Sequence, residues 1–283
     1  MQFAQWLADT SHPLTARVYI NRVWGWHFGT GIVASTENFG KLGDQPSHPQ
    51  LLDWLARQFM QSGWSTKSMH RLMVLSSTYQ MASRHEDPAV TQRLAELDPD
   101  NRLLSHFPVR RLEAEPIRDA MLAVSGTLDR TFGGKTVPLR NRQFVFNHTS
   151  QDFTRYDSRR RAMYLPIIRN NLYSLFTQFD YPDPTTPTGS RNETVVAPQA
   201  LLMLNADVVL DSADAWAERL SKKFEEPTDR VQHAYVQAFG RPATDVELER
   251  ALAFLGSEES GSFGRLALFC HSLFASNEFI YLR

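Results

Sequence analysis

One cysteine, Cys270, is all this 283-residue chain has of that residue. That excludes an internal disulfide, a cysteine-based zinc centre and the C-x-x-C-H attachment of a covalent haem, so no cofactor is expected in the chain. An excess of charge of either sign is lacking too. Thirty basic residues stand against thirty-one acidic ones, so no overall field draws the chain to nucleic acid or to an anionic membrane. No apolar run approaches the length needed to span a bilayer, and the opening MQFAQWLADTSHP has neither a basic leader nor a long apolar stretch. The chain reads as soluble, with any export signal expected upstream of it. The nine histidines are scattered, with no H-E-x-x-H and no His and carboxylate pair at ligand spacing, so no metal site is expected. G-x-S-x-G is absent, and Cys270 sits in LALFCHSLF, where a buried, inert thiol is expected.

What is present is a large apolar fraction, 42% of residues, enough to bury the core of one large domain or two closely packed lobes. The periodicities predict a mainly α, multi-helix globular domain over 1–283 with three sub-regions. Residues 1–130 are helical: SHPLTARVYINRVWGWHFGTG runs at helical spacing until Gly29 and Gly31, Ser47 and Pro49 open a second helix, and Ser65 caps a third. A short helix is expected around DPDNRLLSHF, and a long one from Glu113 to Leu128 with Pro116 in its first turn. Residues 131–196 form a long turn-rich excursion with at most a small β element, RAMYLPII and FVF being the candidate strands. Residues 197–283 return to helix, one opening with a capping box of Thr244 and Glu247.

The stretches ARVYINRVWGWHFGTGIV, HPQLLDWLARQF, SGWSTKSMHRLMVLSSTYQ, DPDNRLLSHFPVRRLEAEPIRDAMLAVSGTLD, GSRNETVVAPQALLMLN and SNEFIYL occur in that order from Phe3 to Leu282. In this set the chain resembles the C-terminal domain of large planctomycete proteins, a family known as a domain of unknown function, fifteen-fifty-three in its series. The resemblance implies an exported setting with upstream cytochrome-type domains in the parent protein. It implies no reaction.

Function must therefore be weighed residue by residue. Arg17, Asn21, Trp24 and Phe28 share one helical face, and a structural role is expected for the polar pair: bonding the loop from Thr30 to Pro46, whose backbone needs partners. His27 has no second ligand on its helix and reads as core and cap. HPQLLDWLARQFMQSGWSTKSMHRLMVL has the outline of a helix-turn-helix, but its second helix offers only Lys67, His70 and Arg71 to a phosphate backbone, too little for DNA.

The residues least explained by packing are Arg111, Glu115, Arg118 and Asp119, the RRR at 159–161, Arg169 with Asn170, Asp180, Asp183, and Arg191 with Asn192. Forked guanidinium groups beside amides and carboxylates suit anionic or hydroxyl-rich ligands. Two readings result. In the first, a noncatalytic binding or interaction module uses Arg111, Arg118, Arg169, Asn170, Arg191 and Asn192 to line a polar cleft for a ligand such as a glycan. In the alternative, an enzyme acts on carbohydrate with Glu115, Asp119, Asp180 or Asp183 as its acid and base, which requires two carboxyl groups about 5 to 10 Å apart in one cleft.

Overall fold

Proline and glycine set most of the helix ends. Pro49, Pro88, Pro198 and Pro227 each sit at the first or second position of a helix, where a missing N–H costs nothing. Gly126 and Gly240 end two others with φ of 79° and 71°, a left-handed conformation that strains any residue with a Cβ. The computed structural model describes residues 1–134, 158–168, 171–256 and 262–282, apart from the side chains of 262 and 263. Among these the architecture is mainly α, and no helix is long and apolar enough to cross a membrane.

The chain folds into two compact units. The first covers Met1–Arg110 and Thr188–Ser190, with helices α1 (Gln2–Leu7), α2 (Thr15–Phe28), α3 (Pro49–Gln61), α4 (Thr66–Val74) and α5 (Pro88–Leu97). Its core is built where α2 packs on α3 and α4, from Ile20, Val23, Trp24, Leu52, Leu55, Phe59 and Met73. Each such side chain contributes about 1.5 to 3 kcal/mol by leaving water. The expected helix over DPDNRLLSHF is not there. The carboxylate of Asp98 accepts the N–H groups of Arg102 and Leu103, and the side chain of Asn101 bonds Ser105 N and His106 O. These local bonds outcompete helix, as Asp and Asn in turns do. The helix lies one segment earlier, where Asp87 caps Pro88–Leu97 through Ala89 N.

The second unit covers Arg111–Pro187 and Arg191–Leu282. It contains α6 (Ala114–Ser125), α7 (Ser174–Gln178), α8 (Ala197–Asn205), α9 (Asp207–Lys223), α10 (Pro227–Phe239), α11 (Asp245–Leu255), α12 (Ser262–Phe274) and α13 (Asn277–Ile280). Its core centres on Trp216, fully buried, with the Phe274 ring 4.9 Å away. Cys270 is buried in this core, and burial pushes its thiol up, far from the thiolate. The capping box is present, Thr244 Oγ1 taking the N–H of Glu247 and Glu247 the N–H of Thr244.

The two units divide at Arg110 and Arg111. One expectation is corrected, the strand over RAMYLPII. The small sheet pairs β1 (Arg110–Arg111) with β2 (Tyr281–Leu282) and lies outside the middle excursion. RAMYLPII forms a 3-10 turn at Ala162–Tyr164 and extended backbone instead of a strand. The FVF segment lies outside the described residues.

Candidate functional site

Three arginines of the second unit, Arg111, Arg118 and Arg191, are engaged by protein groups. Arg118, 1% exposed, projects from α6 and donates to the carbonyl oxygens of Arg160, at 2.9 Å, and Ser158. The Tyr173 ring lies 5.8 Å from its guanidinium. Asp119, next along α6, accepts the N–H of Ala162 at 2.7 Å. Burial raises the Asp119 carboxyl above the ordinary range, against the pull of that N–H and of Arg118. Arg118 and Asp119 together pin residues 158–162, a segment with no helical ladder of its own before Ala162.

Arg111 is buried and donates to Asp180 at 2.6 Å and to its neighbour's carbonyl, Leu112 O, at 3.1 Å. Asp180 holds left-handed backbone, φ 58°, and also accepts the N–H and hydroxyl of Thr194 at 2.9 and 2.8 Å. Arg191 makes a forked pair with Glu115, 2.7 and 2.9 Å, and reaches Glu113 at 3.1 Å. Asp183 holds its own turn by accepting from Thr185 N and Oγ1. Asn192 is exposed. Arg169 and Asn170 lie outside the described residues. Arg111, Arg118 and Arg191 are thus turned towards neighbouring protein groups. Each is engaged by carbonyls or carboxylates, and Glu115, Asp180 and Asp183 are engaged in turn, which fits a clamp on irregular backbone.

In the first unit the NRVWGWHFGTG stretch has two faces. Asn21, 1% exposed, bonds Val33 reciprocally, Nδ2 to the carbonyl at 2.9 Å and Val33 N to Oδ1 at 2.8 Å. Gly31 makes room for that amide, since a Cβ there would fall 2.6 Å from Asn21 Nδ2. Arg17 departs from the expectation. Partly exposed, it pairs with Asp53 at 2.6 Å and with Pro13 O, leaving the loop to Asn21. His27 contacts His70 of α4, ring nitrogen to ring nitrogen at 2.7 Å, with Tyr79 edge-on at 5.7 Å between centroids. Burial lowers the His27 pKa, and His70 and Arg110 lower it further.

Trp24 and Phe28, on the face of α2 that carries Asn21, line a cavity of about 640 Å³, within the roughly 300 to 1,000 Å³ range of ligand sites. Trp24, Phe28 and Gly31 form one wall; Asp44, Gln45 and His48 come from the loop before α3; Asp100, Asn101, Arg102 and Leu104 come from the turn after α5. Trp24 and Phe28 are stacked at 4.1 Å. Among the described residues no hydrogen bond or ion pair engages the side chains of Asp44, Gln45, Asp100 or Arg102. Two wall residues are strained: Asn101 at φ 48° and Leu104 at φ 54°, and such backbone clusters at ligand-binding positions. Sequence reading misses this group because DPDN resembles a helix start, although Asp, Pro and Asn in succession also signal a turn. No group of three or more His, Cys, Asp or Glu residues among the described ones could hold a metal.

No curated protein and no solved structure matches the chain. A family model does, over residues 1–255, that of PSD1, protein of unknown function (DUF1553), which takes in the aromatic wall, the turn after α5 and the arginine clamp. The chain belongs to that family.

Proposed function

We propose that this domain is a noncatalytic binding module whose N-terminal unit takes a hydroxyl-rich ligand, a stretch of glycan, into the cavity against Trp24 and Phe28. The observation that carries this reading is the set of unengaged polar side chains around that cavity: Asp44, Gln45, Asp100 and Arg102. Carboxylates and an amide accept and orient hydroxyls, a guanidinium donates, and an aromatic wall offers an apolar face to a sugar ring. Two carboxylates against one guanidinium leave the cavity negative, which favours a neutral glycan over an acidic or sulfated one. Arg111, Arg118 and Arg191 of the second unit support a structural role, since these three already hold carbonyls or carboxylates.

Asp44 and Asp100 also line the same cavity, and this favours a second reading, a carbohydrate-cleaving enzyme with those two carboxylates as its acid and base. The setting we propose is an exported, cytochrome-associated parent protein of planctomycete type. The ordered motifs from Phe3 to Leu282 support it through their resemblance to such proteins.

A glycan array probed with the purified chain tests the proposal. Neutral glycans retained by the parent and lost in Asp100→Asn with Arg102→Ala are the expected outcome. Retention of acidic glycans alone, or of none, contradicts it. Release of reducing ends from a retained glycan, abolished by Asp44→Asn, selects the enzyme reading.

A further inference from the structure

We propose that a second cavity of the N-terminal unit binds a small amphiphile, an apolar chain ending in one carboxylate, with Arg71 meeting the head group. The cavity measures about 560 Å³ and is walled by Leu51, Trp54 and Leu55 of α3 and Leu72 and Met73 of α4. Arg71 is the one charged residue among its lining residues, and no hydrogen bond or ion pair engages its side chain among the described residues. The hydroxyls that also line it are largely turned away: Ser76 donates to Met73 O at 2.7 Å and Ser68 to Ser65 Oγ at 3.0 Å. What remains is an apolar hollow with a single cation, and a cation on a long stem reaches the rim of such a hollow while its methylenes lie along the wall.

The chemistry of the occupant follows. Trp54 is 43% and Leu75 66% exposed at this site, so an alkyl chain gains by covering them, at roughly 25 cal/mol per Å² of apolar surface. A carboxylate then takes the guanidinium as a charge-assisted pair. A neutral sugar would leave the guanidinium without its complement and gain little from the walls. Trp24 lines both cavities, and the inference is told apart from the saccharide reading by its probe, an alkyl carboxylate, and by Arg71, which is not among the residues lining the first cavity.

Calorimetric titration of the whole chain with decanoate, kept below its micelle concentration, tests the inference. One saturable site is expected. Arg71→Ala should weaken binding about tenfold, the effect of one charge-assisted hydrogen bond, while Arg71→Lys keeps most of it. Arg71 is exposed and outside the core, so both variants are expected to fold, which thermal unfolding checks. Decyltrimethylammonium, with the same tail and the opposite head, should not saturate the site. Absence of saturable decanoate binding, equal affinity in Arg71→Ala, or equal binding of the cationic amphiphile would each overturn the inference.

Discussion

Asn21 and Val33 exchange two hydrogen bonds, at 2.9 and 2.8 Å, across the turn that follows α2. One amide thereby does for the Thr30–Pro46 loop what a strand partner does in a sheet. Removing it leaves a buried N–H and a buried carbonyl without partners. Asn21→Ala should destabilise the protein by about 1 to 3 kcal/mol, read as a lower urea midpoint. A midpoint within error of the parent would contradict the role.

Gly31 tests the same contact from the other side. A methyl group there meets the Asn21 amide nitrogen at 2.6 Å and Val33 O at 2.7 Å. Gly31→Ala should therefore cost at least as much as Asn21→Ala, and the double variant should cost less than the two together, because both disturb one contact. Simple additivity of the two losses would refute the coupling.

Arg118 holds two backbone carbonyls from a position 1% exposed. Arg118→Ala should destabilise by about 2 to 5 kcal/mol, since breaking such a buried charged contact orphans its partners. Hydrogen exchange at Ala162 N–H, now bonded to Asp119 at 2.7 Å, should quicken with it. Unchanged exchange at Ala162 would show that the clamp does not act on that segment.

Two groups predict successive steps on the acid side of the pH profile. The Glu247 carboxyl, held by Arg241 and lowered from 4.5 to about 2, contributes stability that is fully present above pH 4.5 and is lost as the pH falls towards 2. Glu247→Gln should flatten that acid limb. His27 is lowered from 6.5 chiefly by burial, so its contribution is full above pH 6.5 and declines as the pH falls through the folded value. His27→Gln should remove a loss of stability that begins just below neutrality. Urea titrations at stepped pH separate the two, and a parent whose stability is flat from about pH 7 to about pH 3 would contradict both assignments.

The helices are legible wherever the chain marks its own ends. Pro49 and Gly63 bracket α3, and Thr244 with Glu247 opens α11, because caps act over one turn. Asp98 misleads for the same reason: its carboxylate serves Arg102 and Leu103, which makes a turn, yet Asp before an apolar run is also how a helix begins. Long-range partners leave no trace in spacing. Arg111 meets Asp180 across 69 residues, so both stand out as polar while their mutual neutralisation is invisible in the sequence. Asp44 and Asp100 carry no local signal, because only folding brings them to one cavity.

The cavity beside Trp24 and Phe28, and not the arginine set, is where we place the ligand of this domain. Affinity electrophoresis through gels containing laminarin, xylan, galactomannan or dextran sulfate measures this most directly, comparing the parent with Asp100→Asn/Arg102→Ala and with Arg191→Ala, each checked for folding by thermal unfolding. Retardation by at least one neutral polysaccharide is predicted, lost in the cavity variant and kept in Arg191→Ala. Retardation that survives in the cavity variant and vanishes in Arg191→Ala would contradict it.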